Sequence, residues 1–209
     1  MAETQELNWD EIEVNETLND DAINAAADIS NETPVGTFLC TIIDSIAREN
    51  SMAAYTCIQA NLKMRIDLVI EIEKPVMNNE NKPVKRDGEV VKKAQKIEGD
   101  EQGKFNALLG GRFIFDGINL AHSSEKDAMK NRRIFVAQKT GLIGLGSSTL
   151  TTRMWGKDII GKQVVVTTEW NSWKDKITSE VKKNVRVGWD GYDYAAKANV
   201  PADDDFGDI

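Results

Sequence analysis

The chain has 209 residues, two cysteines, one histidine and a formal net charge of -8, enough for one well-packed domain with appendages. No apolar run approaches the roughly 20 residues a bilayer requires, and the opening MAETQELNWDEIEVNE has neither a basic nor an apolar signal region, so a cytoplasmic protein without membrane contact is expected. The net charge hides an asymmetry: residues 1–34 hold ten Asp/Glu and residues 201–209 four Asp, neither with any Lys/Arg, while the body between holds twenty acids against twenty-six bases, a +6 domain suited to a polyanion.

Residues 1–34 read as an acidic arm with one short helix near NDDAINAAADI, capped by Asn19 or Asp20. From Val35 the pattern turns to strands. VGTFLCTIIDSIAREN is apolar and β-branched, with a turn at RENSMA. The next run, YTCIQANLKMRIDLVIEI, alternates with period two. It sets Ile58, Ala60, Leu62, Met64, Ile66, Leu68 and Ile70 on one face and Tyr55, Gln59, Asn61, Lys63, Arg65, Asp67 and Glu71 on the other. Cys40 and Cys57 lie inside these runs and read as small buried hydrophobes rather than a disulfide. Residues 74–104, with two prolines, several Asn and dense mixed charge, read as a long exposed insertion with a hairpin at RDGE.

GRFIFDGINL is the next strand. HSSEKDAMKNRRIFVAQKTG reads as a helix with Ser123 or Ser124 as N-cap and Gly141 past its end. A helical turn at LTTRMW leads to two last strands, KQVVVTTEWNSW and KNVRVGWDGYDY. The order predicts a mainly β fold, a five-stranded Greek-key OB-fold barrel with a helix between strands 3 and 4, a long insertion between strands 2 and 3, and flexible acidic termini. The domain is then residues 35–200, with arms at 1–34 and 201–209.

Catalytic patterns fail on inspection. GKDIIGKQ has the G-x-x-x-x-G-K spacing of a phosphate loop but lacks the following Ser/Thr and runs into a strand. GLIGLGSS lacks the third glycine of a dinucleotide fingerprint. His122 has no second His or Cys to complete a metal site, and reads as a capping or surface residue. Asp67, Glu71 and Glu73 share strand parity, the basis of a minor reading as a Mg²⁺-dependent nuclease, but lack a lysine at E-x-K spacing. No enzyme activity, metal or cofactor is expected.

Bases interleaved with aromatics do accumulate, and single-stranded nucleic acid asks for that pattern: cations track phosphates while bases stack on flat side chains. The candidates are Tyr55, Lys63 and Arg65 on the long strand, Arg112 and Phe115 on the third, and Arg153 and Trp155 before the fourth. Along the last two strands come Trp170, Trp173, Lys174, Lys176, Lys182, Lys183, Arg186, Trp189 and Tyr192. Trp170 and Trp189 share parity with neighbouring valines, so a core placement stays open for each, whereas Trp173, in the loop read as joining the last two strands, is expected to be exposed. Arg132 and Arg133 read as solvated or as complementing a helix dipole, and the insertion lysines as solubilising.

The segments PVGTFLCTI, GRFIFDGINL with its following helix, and WGKDIIGKQVVV, together with the acidic end PADDDFGDI, resemble phage-encoded single-stranded DNA-binding proteins with an OB-fold, over residues 35–209. The resemblance implies a protein that coats single-stranded DNA during phage replication and recombination, largely independently of sequence. The acidic end is similar to that of the bacterial single-stranded DNA-binding proteins, which implies a tail that recruits replication or recombination proteins or competes with DNA: Asp203, Asp204 and Asp205 match the acid run, and Phe206 and Ile209 the apolar anchors. A partner-binding OB module with incidental DNA contact is the alternative, and a homo-oligomer stays open.

Overall fold

Apolar residues at alternate positions build two long antiparallel strands, β1 (Gly36–Met52) and β2 (Tyr55–Pro75), paired from Gly36↔Ile72 to Met52↔Tyr55. The ladder therefore continues through the stretch expected to turn at RENSMA. The computed structural model describes residues 33–52, 55–147, 149–175 and 178–199, without the side chains of 50–52, 55 and 199. All of these fall in the unit spanning residues 33–209.

After β2 come β3 (Lys85–Arg86), β4 (Glu89–Val90), β5 (Lys92–Lys96), helix α1 (Gly99–Leu109), β6 (Phe113–His122) and helix α2 (Asp127–Lys139). A π-helical turn (Met154–Asp158), β7 (Gln163–Lys174), β8 (Val181–Tyr194) and a 3-10 turn (Ala195–Asn199) complete the described chain. The sheet order is β5-β2-β1-β7-β8, with β6 also on β2, and every ladder in it is antiparallel. The fold is mainly β, as expected.

The alternation of β2 holds from Ala60 to Ile66, all buried. It then breaks, because Asp67 is an extra residue opposite the Leu39/Cys40 step, and the bulge turns Val69 inward while Leu68 and Ile70 become half-buried. Helix α1, hidden in the sequence by its charged surroundings, covers this irregularity. Asn106 accepts the Val69 N–H at 2.8 Å, Gln102 donates to the Val69 carbonyl, and Leu109 is buried.

The insertion is more ordered than a loop. Its hairpin turns at Asp87-Gly88 with φ of 53° and 85°, the pair of positive values a two-residue type I′ turn requires and that glycine accepts without strain. Strand β5 then joins the sheet, occupying the same edge of β2 as β6, with α1 between them in the chain.

Among the described residues no ladder joins β6 to β8, so the sheet is not closed into a barrel as the sequence led us to expect. Helix α2 lies at this seam, and side chains span it. Asp116 on β6 accepts from Tyr192 Oη on β8 at 2.8 Å and from Arg132 on α2 at 2.9 Å. Arg132 Nε also donates to the Trp189 carbonyl, and Arg133 donates to the carbonyls of Asn119 and Leu120 and to Glu125. The two arginines thus cover sheet edges rather than standing in solvent, a correction to the sequence reading. Ser123 and Ser124 do not cap α2, whose N-cap is Lys126. The serine N–H and hydroxyl are used nearby, Ser124 N–H donating to His122 Nδ1 and Ser123 Oγ accepting from Thr56.

Phe38, Cys40, Ile42, Leu62, Met64, Ile114, Ile118, Val136, Val164, Val166 and Tyr192 form the centre of the core. Both cysteines are buried and unbridged, and burial raises the Cys40 thiol far above its ordinary pKa, helped by the Asp67 charge, so it stays protonated. None of the described helices is long and apolar enough to cross a membrane.

Candidate nucleic-acid interface

The face of β1, β2 and β6 turned away from the core is set by cross-strand pairing, since directly opposed residues share a face. Phe113 lies opposite Arg65, Phe115 opposite Lys63 and Gly117 opposite Asn61. On the other side of β2, Thr41, Asp44 and Ile46 oppose the same three residues. Ile114, between the two phenylalanines, is buried, so the F-I-F triplet points both rings outward.

Phe115 is 63 % exposed and Phe113 40 %, and Lys63 Nζ stands 4.1 Å from the centre of the Phe113 ring. This cation over an aromatic face leaves both able to meet a planar, anionic ligand. Arg65 is exposed and bound to Asp67 at 2.9 Å, which also takes the Thr41 hydroxyl. Phe113 is not among the candidates named from the sequence. Its parity with Phe115 across one buried isoleucine is the signal that could have found it.

The second aromatic group sits on the β7–β8 arm. Trp170 opposes Val185, Ser172 opposes Lys183 and Lys174 opposes Val181 on one face. Trp173 opposes Lys182 on the other, with the Asn171–Asn184 and Glu169–Arg186 pairs. Trp170 and Trp173 are each nearly half exposed. The two faces differ in charge. On the Trp173 face Lys182 is bound to Asp175 at 2.6 Å and Arg186 to Glu169 at 3.2 Å. On the Trp170 face Lys174 and Lys183 are exposed and form no ion pair among the described residues. The Trp170 indole N–H donates to Glu73 Oε2 at 3.1 Å, which fixes the ring against β2.

Trp189 is also half exposed, for a reason parity does not show. Val187 opposes Thr168 and Tyr192 opposes Val166, so the four residues 188–191 face only Thr167. This wide bulge ejects Trp189 and returns Tyr192 inward. Gly191 is required there, since a Cβ on it would stand 2.5 Å from the Thr167 carbonyl oxygen. Trp189 packs over Arg132, whose guanidinium carbon is 5.2 Å from the ring.

Two candidates do not lie on any surface. Trp155, 2 % exposed, is carried by the π-helical turn into the core, its indole N–H without a hydrogen-bond partner among the described residues. Tyr192, equally buried, holds Asp116. Neither ring is open to a base. Burial raises both Asp116 and Tyr192 above their ordinary pKa values, against the opposing pull of Arg132 on each.

Arg153 is exposed on the segment joining α2 to β7, and Arg112 is half-buried just before β6. Lys176 and the tail residues Asp203, Asp204, Asp205, Phe206 and Ile209 lie outside the described residues, as does the Tyr55 side chain. The three carboxylates of the nuclease reading are occupied separately: Asp67 by Arg65 and Thr41, Glu71 by the Thr37 hydroxyl, Glu73 by Trp170. Among the described residues no group of three or more His, Cys, Asp or Glu is placed to hold a metal ion. GKDIIGKQ is a turn into β7, pinned to β1 by the Gly161 N–H to Ile42 carbonyl bond.

Compared with known proteins, the chain matches no family model and no curated protein.

Proposed function

We propose that the protein is a sequence-tolerant single-stranded DNA-binding protein that coats strands exposed during phage replication and recombination. The observation that carries the reading is the outer face of β2 and β6, where the exposed rings of Phe113 and Phe115 stand beside Lys63, which forms no ion pair among the described residues. Rings on strands offer stacking platforms to any base, and cations beside them track the phosphates, so binding needs no sequence readout. The strand pairing also supports an OB-type scaffold: β1 pairs with β2 and β7, β2 with β6, and β7 with β8. In this reading the closing ladder between β6 and β8 is replaced by the Asp116, Arg132 and Tyr192 bridge.

Fluorescence anisotropy with a labelled oligo-dT, a duplex and an RNA of equal length tests it. The single strand should bind best, and log affinity should fall with log salt at a slope near -0.7 per phosphate neutralised. Phe115→Ala should weaken binding by roughly 1–3 kcal/mol, the usual worth of one stacked base. Affinity for single strands that ignores salt, or a stronger preference for duplex, would refute it.

A further inference from the structure

Strand β5 belongs to a region the sequence marks as a solubilising loop, yet it is seated against the end of β2, with Lys96 opposite Glu71, Ala94 opposite Glu73 and Lys92 opposite Pro75. Opposed residues share a face, so Lys92, Ala94 and Lys96 flank Glu73 on one side of the sheet. Glu73 is the residue that accepts the Trp170 indole N–H. The contact ties the β7–β8 arm, whose Trp170 side carries Lys174 and Lys183, to the sheet end at which β5 carries Lys92 and Lys96. The opposite side of this sheet end is occupied by α1: Lys74, opposite Lys93, lies over Phe105 and pairs with Glu101.

Glu73 accepts the indole N–H and Glu71 the Thr37 hydroxyl, and none of Lys92, Lys96, Lys174 and Lys183 forms an ion pair among the described residues. Four exposed lysines, two on β5 and two on the arm, therefore lie on the strands that this contact joins, with a half-exposed indole between them in the link. That is the pairing a flexible polyanion with stackable bases recognises, and a duplex does not, because its bases are not free to reach the ring.

We propose that β5 and the Trp170 face of the β7–β8 arm form a second segment of single-stranded nucleic-acid track, with Trp170 as its stacking platform and Lys92, Lys96, Lys174 and Lys183 as its phosphate contacts. It rests on the reading that the protein binds single strands, and it assigns the insertion a binding role. The platform is Trp170, not Trp173, because the cations beside Trp173 are already neutralised by Asp175 and Glu169.

The full chain and its variants are titrated with labelled oligo-dT of increasing length at several salt concentrations. Lys92→Ala with Lys96→Ala should lower affinity for long oligonucleotides and make the salt slope shallower by about 1.4, two phosphate contacts at 0.7 each. Trp170→Ala should weaken binding roughly tenfold and Trp170→Phe should recover most of that, since a ring is what stacking uses. Trp173→Ala should have a smaller effect than Trp170→Ala. If the unaltered chain binds while the double lysine variant keeps its full affinity and slope, β5 is no part of the track and the proposal is overturned. It is equally overturned if Trp170→Phe is no better than Trp170→Ala. Failure of the unaltered chain to bind single strands at any salt overturns this proposal and the broader reading together.

Discussion

Asp116 is the residue on which the seam between β6 and β8 depends. It is nearly buried, its charge opposed by desolvation and supported by Arg132, the Tyr192 hydroxyl and the Gly117 N–H. Removing one partner of such a pair leaves a charge without compensation, so Arg132→Met should cost about 3–5 kcal/mol in a denaturant melt. Tyr192→Phe should cost about 1–3 kcal/mol. Arg132→Met combined with Asp116→Leu should recover much of the single-variant loss, because an apolar pair needs no charge compensation. Additive losses in the double variant would show that the two residues act independently. Neither role was legible from sequence. Arg132 sits on a helix whose polar residues look solvated, and only the docking of α2 against β6 and β8 tells a buried arginine from a surface one.

At the scale of elements, α2 is clasped to the end of β8 by Asp193, which takes Lys139 at 2.8 Å and Lys197 at 2.6 Å. Partial burial works against the Asp193 charge, but the hydrogen bonds from Lys139, Lys197 and the Tyr194 N–H outweigh it and hold the group below the ordinary carboxylate range. A carboxyl with a lowered folded pKa adds stability that is complete above its unfolded value, about 4, and is lost as pH falls through the folded value. Asp193→Asn should therefore lower the melting temperature at neutral pH and converge with the parent in strong acid. A difference that persists unchanged at low pH would exclude the ion pair as its source. The bulge of β8 gives a second element-scale test. Gly191→Ala must displace the Thr167 carbonyl, so it should destabilise the fold and alter the near-ultraviolet signal of Trp189, which the bulge ejects. An unchanged melt would mean the bulge has slack. The type I′ turn at Asp87-Gly88 was readable in advance because its residue chemistry is local. The bulges that reversed the parity of Val69 and Tyr192 were not, since they depend on how many residues the partner strand supplies.

Across the whole molecule the decisive quantity is charge distribution. A body of +6 between two arms without bases means that added salt should weaken the proposed binding of single strands. Deleting residues 201–209 removes four carboxylates and no base, so affinity for single strands should rise at low salt and approach that of the parent at high salt. Equal affinity at low salt would show that the tail does not compete for the interface.

Period, composition and local chemistry were enough to establish the long alternating strand, the hairpin turn, the helix between the third and fourth long strands, two buried thiols and a basic body beside acidic arms. Which aromatics are open was settled by tertiary contacts instead. Trp155 and Tyr192 carry the same chemistry as Trp170 and Trp189, and a π-turn and a four-residue bulge separate the buried pair from the exposed pair. Tertiary contacts also made the insertion lend a lysine strand to the sheet, and made α2, rather than a ladder, span the seam. Burial and edge coverage are set by contacts between segments far apart in the chain, and a period-two pattern carries no record of those contacts.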